Sequence, residues 1–106
     1  MITVTVSRKN NSYTELLSRG HAGYAEEGQD IVCAAVSVLI INTANSLERL
    51  TKDRFELDEK DGYVHIRFPE ELTAGGKLLM DSLVLGLTEI EKSYSKRYLK
   101  VKVREV

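Results

Sequence analysis

A chain of 106 residues bounds one compact domain, 1–106, with a single core, and is too short for two domains with a cleft between them. With 42% hydrophobic and 29% charged residues and one proline it reads as globular rather than disordered, and a net charge of -1 gives no general pull toward phosphate backbones or anionic membrane. One cysteine excludes an internal disulfide and fits a reducing, cytoplasmic setting; with two histidines beside it, a zinc site would need carboxylates in no recognisable spacing, so neither metal nor cofactor is expected.

The start, MITVTVSRKN, lacks the pattern of a signal peptide. Residues 2–7 alternate Ile2, Val4 and Val6 with Thr3, Thr5 and Ser7, the period of a half-buried strand. Asn10-Asn11-Ser12 turns the chain into a second strand over Tyr13 to Arg19. There follows Gly20-His21-Ala22-Gly23-Tyr24-Ala25-Glu26-Glu27-Gly28-Gln29, whose three glycines favour no regular element and predict a mobile loop.

Asp30 suits an N-cap, and from Ile31 to about Leu50 the pattern is helical, apolar almost all round at first and amphipathic later. Its unbroken apolar stretch, Ile31 to Ile41 apart from Ser37, falls short of the ~20 residues of a membrane span and predicts a buried core helix. Residues 54–60 and 63–68 alternate around Asp61-Gly62, a strong hairpin signal. Leu79, Leu83, Leu87, Ile90 and Tyr94 then mark an amphipathic helix over 73–95, and the end alternates Leu99, Val101 and Val103 with Lys100, Lys102 and Arg104. The sum, β-β-α-β-β-α-β, predicts an α+β domain with a mostly antiparallel sheet covered by two helices.

On this reading Cys33 is the third residue of a helix capped by Asp30. Unpartnered N–H groups and the positive end of the dipole would favour a thiolate there and could serve as an oxyanion hole. His21, twelve residues earlier on the glycine loop, could reach the sulfur as a general base. The bland alternative is a cysteine that only fills space. Asp30 could also orient His21. Ser37, one turn after Cys33, could donate to the sulfur or a substrate carbonyl, or back-bond to its own helix.

Gly20, Gly23 and Gly28 would give the loop the freedom of a lid. Glu26 and Glu27 could attract a basic substrate or merely solvate the loop, and Ala34 and Ala35 would let the helix approach the sheet. His65, on the outward face with Tyr63 and Arg67, reads as an ordinary surface histidine. The row Lys100, Lys102, Arg104 reads as a solvated strand face, not an RNA-binding stripe.

Residues 20–25 (Gly-His-Ala-Gly-Tyr-Ala) and 28–37 (Gly-Gln-Asp-Ile-Val-Cys-Ala-Ala-Val-Ser) resemble the signature of the ribosomal-processing cysteine protease family. The order of elements and the chain length resemble that family from end to end. The resemblance implies an endopeptidase with His21 and Cys33 as its catalytic dyad. It further implies removal of a short N-terminal extension from large-subunit ribosomal protein twenty-seven, with cleavage after paired aromatic residues, and a homodimer. A non-catalytic α/β interaction module and an RNA-binding assembly factor are the rival readings that the residues alone leave open.

Overall fold

The computed structural model describes residues 1–20 and 31–106 in full and residues 27–30 by their backbone. The elements run β1 (Ile2–Lys9), β2 (Ser12–Arg19), α1 (Glu27–Leu50), β3 (Glu56–Lys60), β4 (Tyr63–Arg67), α2 (Ala74–Tyr94) and β5 (Leu99–Glu105), the order the sequence predicts. The strands form one sheet in the order β3-β4-β2-β1-β5. Its pairs are antiparallel except for β1 with β5, which are parallel, because α2 carries the chain back over the sheet before β5 is laid down.

Alternation along β1 gives the sheet its two faces. Ile2, Val4 and Val6 turn inward and join Leu16, Ile66 and Leu99 from neighbouring strands, all of them buried. From the other side come Val32, Val36, Ile40, Ala44 and Leu47 of α1 with Met80, Leu83 and Leu87 of α2. The two helices thus cover one face, and the opposite face carries the polar phase of each strand. By length and hydropathy alone the segment Ile31–Leu50 would pass as a membrane span. Its stripe at three- and four-residue spacing is instead packed into the domain core.

Local chemistry fixes the connections. Asn10 and Asn11 both take left-handed backbone, with φ of 53° and 63°, and close a two-residue hairpin between Lys9 and Ser12. Thr73 caps α2 by accepting a hydrogen bond from the Gly76 N–H at 3.2 Å, and Asp53 holds the cap by accepting from the Thr73 N–H and hydroxyl at 2.8 and 2.7 Å. The Tyr13 hydroxyl donates to Asp81, tying β2 to α2. Burial, then that hydrogen bond, pushes the Tyr13 pKa up to about 12, so the phenol keeps its proton at neutral pH.

Three expectations change. Helix α1 begins at Glu27 rather than Ile31, so Asp30 is its fourth residue and not its N-cap. Acidic and amide side chains are tolerated in a first turn, where the dipole favours negative charge, and one glycine does not stop a helix continued by strong apolar packing. Ala34 is exposed, because the stripe facing the sheet runs through Val32, Val36 and Ile40, about half a turn away. His65 is half-buried and hydrogen-bonded to the Glu15 carboxylate, with the Tyr63 ring edge-on at 6.4 Å.

Candidate active site

Cys33 lies on the inward side of α1, partly buried and packed against the core cluster. It opens into a cavity of about 320 Å³ whose walls come from four parts of the chain, Ile2 of β1 among them. Helix α1 supplies Cys33 and Ser37, one turn apart, with Val36 and Ile40 deeper. The end of β2 supplies Ser18 and Gly20, and the β3–β4 hairpin closes the far side with residues 59–64.

Two backbone features bring the end of β2 and the hairpin together. The Gly20 N–H donates to the Gly62 carbonyl at 2.9 Å, and β2 pairs with β4 through Ser18 opposite Val64. Gly20 has φ +98°, a conformation that L side chains rarely adopt, and a Cβ there would stand 2.3 Å from the Met1 carbonyl oxygen. Glycine at this position is therefore demanded by geometry.

The site residues expected from the sequence meet different outcomes. Cys33 and Ser37 share the cavity, as their spacing on one helix face requires. Cys33 is the seventh residue of a helix starting at Glu27, not its third. Only the first four N–H groups of a helix lack internal partners, so the Cys33 N–H is committed to the helix and the dipole has largely decayed there. The expected placing of Cys33 in the first turn, with free N–H groups beside its sulfur, is therefore not what the structure shows.

Of the three glycines expected to form a lid, two lie among the described residues. Gly20 is anchored by its hydrogen bond to Gly62, and Gly28 belongs to α1. Gly23, His21 and Glu26 lie outside the described residues, as do the side chains of Glu27 and Asp30.

The hairpin wall, with Glu59, Asp61 and Tyr63, was not singled out from the sequence. Glu59 shares its phase of β3 with Leu57, and both are exposed. That phase acquires meaning only once the strand is paired with β4 and the hairpin is brought over Cys33.

Taken together, the arrangement offers a single thiol in a cavity with an apolar floor and a polar rim, large enough for one or two side chains of a peptide and open to its backbone. A thiol so placed suits covalent attack on a carbonyl once a base takes its proton.

The sequence model of the family described as cysteine protease Prp matches residues 1–100. The ribosomal processing cysteine protease Prp of Bacillus subtilis is 31% identical over 101 residues, covering 89% of this chain and 90% of its own. A crystal structure of the essential ribosomal processing protease Prp from S. aureus with a substrate peptide superposes with a TM-score of 0.88 at 27% identity, covering 97% of this chain and 99% of that one. A second structure of that S. aureus protease, with a covalently linked product peptide, gives a TM-score of 0.87 at 28% identity over the same shares of the two chains. This fold, this cavity and these likenesses lead to one conclusion: the chain belongs to the Prp family of ribosomal-processing cysteine proteases and is a cysteine endopeptidase.

Proposed function

We propose that this enzyme removes the N-terminal extension of large-subunit ribosomal protein twenty-seven, cutting after paired aromatic residues, with Cys33 as nucleophile and His21 as general base. The observation that carries the assignment is that the sole cysteine of a cysteine protease lines a cavity of about 320 Å³. No other side chain of the chain can supply a thiolate.

In the proposed reaction His21 takes the Cys33 proton and the sulfur attacks the scissile carbonyl carbon. The tetrahedral intermediate collapses as the C–N bond breaks, and the imidazolium returns the proton to the departing amine. Water, deprotonated by the same imidazole, then attacks the thioester and releases the carboxylate product and the Cys33 thiol. Asp30 and Ser37 assist as positioning or substrate-contacting residues in this reading, which the place of Ser37 in the cavity supports. The apolar floor made by Val36 and Ile40 supports the preference for aromatic side chains beside the scissile bond.

We place the enzyme in the cytoplasm as a homodimer. Ile31 and Val38 on α1 and Leu78 and Leu85 on α2 are exposed, at 48%, 65%, 69% and 62%, and this apolar surface supports self-association.

Coexpression with the extended ribosomal protein tests the substrate. Intact-mass measurement should find the ribosomal protein shortened to the residue after the aromatic pair, and full-length in cells carrying the Cys33→Ala chain. An extension left intact by the wild-type enzyme would reject this substrate.

A further inference from the structure

The register of the β3–β4 hairpin puts a carboxylate on the sheet face that borders the Cys33 cavity. On the helix-free face Glu56, Asp58 and Lys60 stand opposite Arg67, His65 and Tyr63. On the other face Leu57, itself 49% exposed, stands opposite Ile66 and Glu59 opposite Val64, every residue of β3 being exposed. Val64 packs on the core and pairs on its other side with Ser18, which is 8% exposed. Ser18, Val64 and Glu59 thus form one row across the sheet, all three lining the Cys33 cavity, with Glu59 at its rim.

None of the ion pairs among the described residues engages Glu59. Its neighbour Lys60 also borders the cavity, but alternation sends that side chain the other way, with its ammonium 6.0 Å from the centroid of the Tyr63 ring. Asp61 adds a second carboxylate at the turn. The rim is therefore acidic above a floor of aliphatic side chains, and low-dielectric walls strengthen the field of a charge at such a mouth. A lysine or arginine side chain matches both parts, laying its methylene stem on the apolar wall and its cationic head against the carboxylate.

We infer that Glu59 is a specificity-determining residue that selects peptide substrates carrying a lysine or arginine close to the scissile bond. The inference rests on the reading of Cys33 as the nucleophile, since the shared cavity sets the distance between the cation and the bond cut. The rival role for Glu59 is that of a charge on an edge strand, which hinders edge-to-edge pairing. That role predicts self-association on neutralisation and no change in peptide preference.

The test uses N-acetylated, C-amidated peptides spanning the processing site, with lysine, glutamine or glutamate placed in turn at each position near the scissile bond. At one such position the full-length wild-type enzyme should cut the lysine peptide roughly tenfold faster, in kcat/KM, than the glutamine peptide, and the ratio should shrink in high salt. Glu59→Gln should bring that ratio to about one, and Glu59→Lys should invert it in favour of the glutamate peptide. Variants that keep the wild-type ratio, or a wild type that cuts all peptides equally in a Cys33-dependent manner, overturn the role of Glu59 while leaving the nucleophile standing. A wild type whose peptide cleavage survives Cys33→Ala overturns both.

Discussion

Cys33→Ala lowers kcat/KM for cleavage of a processing-site peptide by a factor on the order of 10⁴ or more, the scale of losses seen when a covalent nucleophile is removed. The chain holds no second cysteine to take over. Ser37 shares the cavity, but an alcohol is a far poorer nucleophile than a thiol at neutral pH, and it sits a full helical turn away. The loss should be catalytic rather than structural. Cys33 is only partly buried, so trading its sulfur for hydrogen costs about 1 kcal/mol of packing. Steady-state kinetics together with a thermal melt separate the two effects: activity at background with a nearly unchanged melting temperature is the expected pair. Retained cleavage would move the chemistry to another residue.

Gly20→Ala is expected to damage both the fold and the activity, costing about 3 kcal/mol of stability. Two costs combine. A side chain at φ +98° is strained, and the new Cβ would lie 2.3 Å from the Met1 carbonyl oxygen, a backbone atom. That carbonyl cannot swing aside, because the next residue is held by the hydrogen bond from the Ile2 N–H to the Tyr98 carbonyl at 2.9 Å. Relief must come from the Gly20–Gly62 hydrogen bond, which joins the end of β2 to the wall of the Cys33 cavity. His21, the proposed base, is the next residue in the sequence, so activity is expected to fall along with stability. Gly75 supplies the internal control: a Cβ there meets nothing closer than the Thr51 methyl at 3.7 Å, and alanine in a helix is preferred to glycine, so Gly75→Ala should be neutral or slightly stabilising. Urea unfolding of the two variants gives the comparison, and equal midpoints would contradict the strain at Gly20.

The contrast between these glycines also shows what the sequence could and could not disclose. Wherever a feature depends on neighbours in the chain, the pattern was readable. The alternation of Ile2, Val4 and Val6, the Asn10-Asn11 and Asp61-Gly62 turns and the helical spacing of Leu79, Leu83 and Leu87 all correspond to observed elements. Thr73 needs only Gly76 to act as a cap, and it does. The start of α1 escaped because its first turn contains Gly28 and lacks apolar periodicity, so the residues alone favoured a loop up to Asp30.

Features that depend on distant pairing were not readable. The parallel contact of β1 with β5, the partnership of His65 with Glu15 and the anchoring of Gly20 by Gly62 each join segments far apart in sequence. The hairpin wall of the cavity belongs to this class. Glu59 looked like one acidic residue among several in β3 until Val64, Ser18 and Cys33 were brought alongside it. Cys33 itself was legible as a candidate from its company of glycines and His21. What the fold added is its cavity, and what it removed is the helix-terminus argument for its reactivity.

The central claim, that Cys33 is the nucleophile of this protease, is tested most directly by reacting the enzyme with a chloromethyl ketone built on the processing-site peptide and following modification and activity together. The account predicts one equivalent bound per chain, mapped to Cys33, with activity falling in step with modification. Full activity in enzyme quantitatively modified at Cys33, or an adduct on another residue that accompanies inactivation, would contradict it.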